Sequence, residues 1–294
     1  MTNHVLVVTG MHRSGTSLIT HWLHACGLQV GETLLDAGNG NVEGHFEDLE
    51  FLKLHEEMLG ARGAGTDGLR APYEIRPTSY EKAKMAAVIA VKNARFAHWG
   101  WKEPRTCLFL DTYAELLPQA RYLVLLRDYD EVVQSLLKRD FAYVDDKYRA
   151  RSWPYRLVWQ YLARAQRRDK HRHHHYNRYL KAWVVYNQMI VAALRQLPAE
   201  RYLVVSYESM QRQCAAVHAF LSTRWSFPLR YRTFSSIYRS ELISRQAEAP
   251  PANVDRNLLA QARQVHAQLQ HYLQASQHSL ATAPGAVQVA EKLD

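Results

Sequence analysis

The sequence predicts an α/β fold, a three-layer sandwich with a central parallel sheet flanked by helices. Three short, wholly apolar runs carry the first signal: Val5 to Val8, Tyr122 to Leu126 and Tyr202 to Val205, each closed by polar residues. Strands of that composition lie inside parallel sheets that are covered on both faces. Stretches with helical periodicity separate them, and this alternation favours a doubly wound sheet with right-handed crossovers. The 294 residues, 47% of them hydrophobic, suffice for a full core, and the chain is read as one domain spanning 1–294.

In chain order, Val5 to Val8 leads into Thr9-Gly10-Met11-His12-Arg13-Ser14-Gly15-Thr16-Ser17 and then a helical stretch from Ser17 to Cys26. Glycines let successive N–H groups face an anion, and the helix start adds its partial positive charge. The segment therefore predicts a phosphate-binding loop, a P-loop. The nucleotide-triphosphatase pattern needs lysine where this chain has Thr16; the cation stands at Arg13 instead. The strand at Tyr122 to Leu126 ends in Arg127 and not in a metal-binding Asp, which argues against Mg²⁺-dependent phosphoryl transfer.

Between these elements, Asn41 to Asp48 gathers Glu43, His45, Glu47 and Asp48 in a loop that enters a helix. Gly60 to Gly68, with Pro72 and Pro77 beyond, reads as a surface excursion. A helix is expected over Glu131 to Arg139, followed by a helical, basic segment at about 141–197. From Phe141 to Leu180, ten Lys or Arg residues face only Asp145, Asp146 and Asp169, interleaved with Tyr148, Trp153, Tyr155, Trp159 and Tyr161. Two readings stay open for it: an acceptor-binding surface, or a solvated basic helix face over a Trp-anchored core. His173-His174-His175 reads as an exposed polar turn, with a metal site as the lesser alternative. Tyr179, Trp183, Tyr186, Ile190 and Leu194 keep a helical spacing that marks core. The tail from about 251 reads as one helix, Asp255 to Gln274, followed by frayed residues.

The formal charge of +9 favours an anionic partner. Three scattered cysteines, Cys26, Cys107 and Cys214, suit reduced thiols, and no signal sequence precedes the first strand, so a cytoplasmic location is expected. No apolar run is long enough to span a membrane, though peripheral membrane contact stays open.

At Arg13-Ser14-Gly15-Thr16-Ser17 the chain resembles the superfamily of sulfotransferases that use 3′-phosphoadenosine 5′-phosphosulfate (PAPS). Their 5′-phosphosulfate loop reads Arg or Lys, Ser, Gly, Thr, then Thr or Ser. The likeness extends to Arg127 and Ser135, spaced like the family's strand-end Arg and following Ser that bind the 3′-phosphate. Gly44-His45-Phe46-Glu47-Asp48 and Trp101-Lys102-Glu103-Pro104-Arg105 resemble segments of the bacterial branch related to tyrosylprotein sulfotransferases. Val205-Ser206-Tyr207-Glu208 resembles a strand-end turn whose Tyr often lies near the adenine.

The resemblance implies donor binding by Arg13, Ser14, Gly15, Thr16, Ser17, Arg127, Ser135 and Tyr207, with Arg13 and Lys102 stabilising the leaving group. For the general base it favours Glu47, with His45 and Glu43 as alternatives and His12 ranked fourth; Asp48 equally suits a helix N-terminus. Arg239 is the weak candidate in a C-terminal region without a placeable motif. The implied donor substrate is PAPS, with no metal. The acceptor is a hydroxyl on a glycan, lipid-linked saccharide, peptide tyrosine or small alcohol, and an acidic acceptor would suit the basic segment. Rival readings are a P-loop kinase using ATP and a basic nucleic-acid-binding module; nucleic acid is not the expected partner.

Overall fold

The computed structural model describes residues 3–35, 44–70, 75–237 and 248–282. The three apolar runs form strands β1 (His4–Thr9), β3 (Arg121–Leu126) and β4 (Tyr202–Ser206), and His98–Lys102 adds β2. All pairings are parallel, in the order β2-β1-β3-β4. The apolar-run criterion passes over β2, whose sequence is His-Trp-Gly-Trp-Lys. Its two indoles fill the role of aliphatic residues, with Trp101 stacked on Phe51 at 4.3 Å.

Strand side chains alternate between two buried layers. Val5, Val7, Tyr122, Val124, Leu126 and Val204 face one layer, whereas Leu6, Val8, Leu123, Leu125, Leu203 and Val205 face the other. The second layer is closed by α1 (Thr16–Ala25) and the first by α2 (Leu49–Gly60) and α3 (Ser79–Arg95). After β2 comes the short α4 (Leu110–Leu116); after β3, α5 (Tyr129–Arg149). A small α6 (Trp153–Val158) and a π-helical turn then lead into the long α7 (Arg164–Gln196), which packs against α5. Tyr179, Trp183, Tyr186, Ile190 and Leu194 are all buried on α7, as their spacing predicts.

His173, His174 and His175 are a correction: they lie inside α7 and not in a turn, because the helix begins at Arg164, fifteen residues before the apolar stripe reveals it. Only His174 among them is exposed; His173 and His175 are half-buried. The Gly60 to Gly68 excursion turns back to the core at Ala64, Gly68 and Leu69, where Arg105 donates to the Thr66 carbonyl at 2.7 Å; Pro72 lies outside the described residues.

After β4 follow α8 (Tyr207–Ala219) and α9 (Arg256–Ala281). The last helix starts where expected, with Asp255 as its N-cap, and runs about two turns beyond the expected end at Gln274. It packs on α7 and covers the open edge of β4, where the Val204 N–H donates to Ser276 Oγ at 2.9 Å. A sheet edge left unpaired would attract other strands; here a hydroxyl occupies it. Among the described residues no helix is long and apolar enough to cross a membrane.

Candidate active site

The first two strands in the chain lie side by side, and β3 joins β1 on its other flank. The chain order therefore reverses across β1 and β3. In open α/β sheets the crevice at the carboxyl ends of such strands is where ligands bind. The loop after β1, Arg127 after β3 and Lys102 at the end of β2 all reach this crevice.

Gly10 is required by a close approach: a Cβ there would lie 2.7 Å from the Leu125 carbonyl oxygen of the neighbouring strand. Gly15 adopts φ 90° immediately before α1, in the left-handed region that glycine tolerates best. No side chain caps α1. Its first-turn N–H groups are thus placed for an anion, with the positive end of the helix behind them. Arg13 itself takes φ 68°, a costly conformation for a residue with a Cβ and one that recurs at ligand clamps.

The two predicted phosphate elements touch. Arg13 Nε donates to Ser135 Oγ at 2.9 Å, and Arg127 Nη1 donates to the Arg13 carbonyl at 2.8 Å. Arg127 is steadied by Glu131 at 2.8 Å and by Trp183, whose indole N–H donates to the Arg127 carbonyl at 3.2 Å. Burial, with the positive fields of Arg139 and Arg127, lowers the Arg13 pKa to about 10. Guanidinium groups that raise one another's energy in this way form a site whose strain an anion would relieve. Arg139, itself paired with Asp140 at 3.0 Å, is a further cation whose field acts on Arg13 and which the motifs did not single out. It lies one helical turn beyond Ser135 on α5, and that i, i+4 spacing was the available signal.

Lys102 is 1% exposed, so it is a buried lysine and not a solvated strand end. Its Nζ donates to Glu47 Oε1 at 2.8 Å and to Ser17 Oγ at 3.1 Å, linking β2, α1 and the loop before α2. Burial lowers its pKa, and the field of Glu47 opposes the shift. Next to it, Glu103 is buried and ion-paired with Arg105, and it lies 2.5 Å from His55 Nδ1; His55 Nε2 in turn lies 2.7 Å from the Tyr113 hydroxyl. Burial opposes ionisation of Glu103, but Arg105 and His55 prevail and hold its pKa low. This network fixes the turn that follows Lys102.

The other candidates are distributed around the crevice. Ser14 is buried in the loop and Thr16 at the first position of α1. His45 lies beside Glu47 in the chain, and burial lowers its pKa. Burial acts likewise on His12, whose ring lies 5.7 Å from that of Tyr186. Asp48 caps α2, accepting from the Glu50 N–H at 2.9 Å, and pairs with Lys92 at 2.9 Å. Tyr207, the first residue of α8, is buried in the layer that contains α1. Glu43 and Arg239 lie outside the described residues.

Along α5 from Ser135, a cavity of about 310 Å³ opens between Gln134, Lys138 and Phe141 and the α7 residues Arg164, Arg168 and Arg172. Asp145 pairs with Arg164, while Glu248 pairs with Arg168 and Arg172. These acids make the cavity a polar wall more than an anion trap. Among the described residues, no three His, Cys, Asp or Glu side chains converge as a metal site.

The fold is also found among solved structures. The sulfotransferase STF9 from Mycobacterium avium is 16% identical, with 94% of this chain and 77% of that one covered and a TM-score of 0.50. The sulfotransferase domain of the Synechococcus PCC 7002 olefin synthase is 17% identical over 92% of this chain and 94% of its own, with a TM-score of 0.47. A search among curated protein sequences returned no match. The sequence model described as "Sulfotransferase family" matches residues 6–226, from the first strand past the end of α8 and so across the whole crevice, and the chain accordingly belongs to the sulfotransferase family.

Proposed function

We propose that this enzyme transfers a sulfuryl group from PAPS to an acceptor hydroxyl. The observation that carries the reading is the direct contact between two distant sequence elements, Arg13 with Ser135 and Arg127 with the Arg13 carbonyl. A donor with a 5′-phosphosulfate and a 3′-phosphate calls for two anion sites on one continuous surface. The loop before α1 supplies backbone N–H groups for the first. Arg127 and Ser135, joined by Arg139, supply a planar fork, a hydroxyl and a further cation for the second.

In the transfer, the acceptor oxygen bonds to sulfur as the bond from sulfur to the bridging phosphate oxygen breaks. The electron pair leaves on adenosine 3′,5′-bisphosphate, and the acceptor proton passes to the base. Arg13 and Lys102 meet the charge that grows on the bridging oxygen. Lys102 holds the Glu47 carboxylate at 2.8 Å. When the ammonium turns toward the leaving oxygen, that carboxylate is released to accept the proton. This exchange ties the base to the leaving-group cation and favours Glu47 for the role. His45, whose pKa is lowered by burial, is the alternative.

The test is transfer of radiolabelled sulfate from PAPS across a panel of glycan, lipid-linked saccharide, tyrosyl-peptide and small-alcohol acceptors. Label should pass to a hydroxyl acceptor, and Glu47→Gln should lower turnover at least ~10-fold. Near-normal turnover in Glu47→Gln would transfer the role to His45. Label transfer from ATP with Mg²⁺, and none from PAPS, would replace the proposal with a kinase.

A further inference from the structure

The helical hairpin made by the end of α5, α6 and the start of α7 carries a surface that the transfer chemistry leaves unexplained. Nine large hydrophobic side chains are exposed among the described residues, and seven of them lie between Tyr143 and Leu162. Trp153 is 69% exposed, Tyr161 74% and Leu162 76%. Isolated exposed apolar residues are ordinary; a cluster of this kind marks an interaction surface.

The tip is built and not frayed. Trp159 points inward, stacked on Tyr148 with ring centres 4.0 Å apart and planes within 3°, and its indole N–H donates to Asp145 at 2.7 Å. Arg164 donates to the same carboxylate at 2.9 Å. With Trp159 fixed as the internal anchor, Trp153, Tyr155, Val158, Tyr161 and Leu162 are left facing outward.

Charge surrounds this apolar tip. From Lys147 to Lys170 there are eight Lys or Arg residues and a single acid, Asp169. Arg149, Arg164 and Arg168 are paired with carboxylates. Lys147, Arg151, Arg156, Arg167 and Lys170 form no ion pair among the described residues. Arg151 instead lies over the rings of Tyr148 and Tyr155, at 5.1 and 5.9 Å from their centres.

We propose that this hairpin tip docks the protein on an anionic lipid bilayer. Trp and Tyr combine an apolar ring with a polar edge and favour the level of the headgroups. Leu157, Val158 and Leu162 suit the acyl boundary beneath, and the surrounding cations suit acidic headgroups. Two other occupants fit less well. A second copy would bring one cationic tip against another, and like charges facing each other oppose that contact. Single-stranded nucleic acid would use the aromatic faces and the cations but leaves the three aliphatic side chains without a role. Ten residues of α5 separate Arg139, in the crevice, from Arg149 at the tip. At the helical rise this is about 15 Å, which places the crevice near the lipid surface without immersing it.

The experiment is co-sedimentation of the full chain with phosphatidylcholine vesicles, with and without a third of phosphatidylglycerol. Binding is expected on the anionic vesicles only, and it should weaken as salt rises. Trp153→Ser with Leu162→Ser, and separately Arg151→Ser with Arg156→Ser, should each weaken partitioning on the order of 10-fold. Circular dichroism and melting temperature confirm that the variants fold, since all four side chains are exposed. Equal binding to both vesicle types, or unchanged binding by both double variants, overturns the proposal. So does concentration-dependent dimerisation, or retention on DNA or RNA, that the Trp153 and Leu162 changes abolish while vesicle binding persists.

Discussion

At the residue scale, the site is governed by charges kept out of water. Lys102 reaches Ser17 and Glu47 from the end of β2, and burial shifts its pKa below the ordinary lysine value of 10.5. If the ammonium form stabilises the leaving group, transfer is lost as pH rises through that lowered pKa. The alkaline limb of the kcat profile therefore falls below pH 10.5, and Lys102→Arg should move it upward, since a guanidinium stays protonated there. A limb that does not move would assign it to another group. Arg127 and Ser135 were legible as a pair only through the family resemblance, since an Arg and a Ser eight residues apart carry no signal alone. Arg139 was not, since an arginine on a basic helix looks like a solvated side chain until the fold turns it toward Arg13. The burial of Lys102 was equally hidden: its carboxylate partner stands 55 positions away in the chain.

At the element scale, the apolar runs revealed three strands, while β2 escaped because Trp99 and Trp101 replace aliphatic residues around Gly100. The same limit applies to α7, whose polar first half carries no stripe until it packs on α5. Thr78 and Glu81 form a reciprocal capping box at the start of α3, and Arg62 binds both Glu81 oxygens, at 2.6 and 2.7 Å. That pairing lowers the Glu81 pKa to about 2. A carboxyl with a depressed folded-state pKa stabilises the fold above its unfolded value and loses that contribution as pH falls. The pair lies at a solvent-screened rim, so Arg62→Ala should cost about 1 kcal/mol at neutral pH. In denaturant titrations the gap between variant and parent should close as pH is lowered from about 4.5 toward about 2. A gap that stays constant would mean that Arg62 acts through packing alone.

At the scale of the whole molecule, two buried layers and one reversal of strand order place a loop, a strand-end arginine and a buried lysine around a single crevice. The fold class and the glycine loop before α1 could be read from the chain because both rest on local patterns, whereas the link to Arg127 and Ser135 came from the family resemblance. The cavity walls beyond Ser135 could not be read, because they arise where α5, α7 and the segment at Glu248 meet, and no local spacing encodes that meeting. Under the proposed function, Arg127 and Ser135 read a 3′-phosphate while the loop at Arg13 holds the 5′ side. Calorimetric titration of adenosine 3′,5′-bisphosphate against adenosine 5′-monophosphate, in the parent protein and in Arg127→Ala, tests it most directly. The parent should prefer the bisphosphate by at least ~10-fold and Arg127→Ala should lose most of this preference, as removal of a charge-assisted contact to phosphate requires. Equal affinity for both nucleotides in the parent, or a preference that survives in Arg127→Ala, would contradict it.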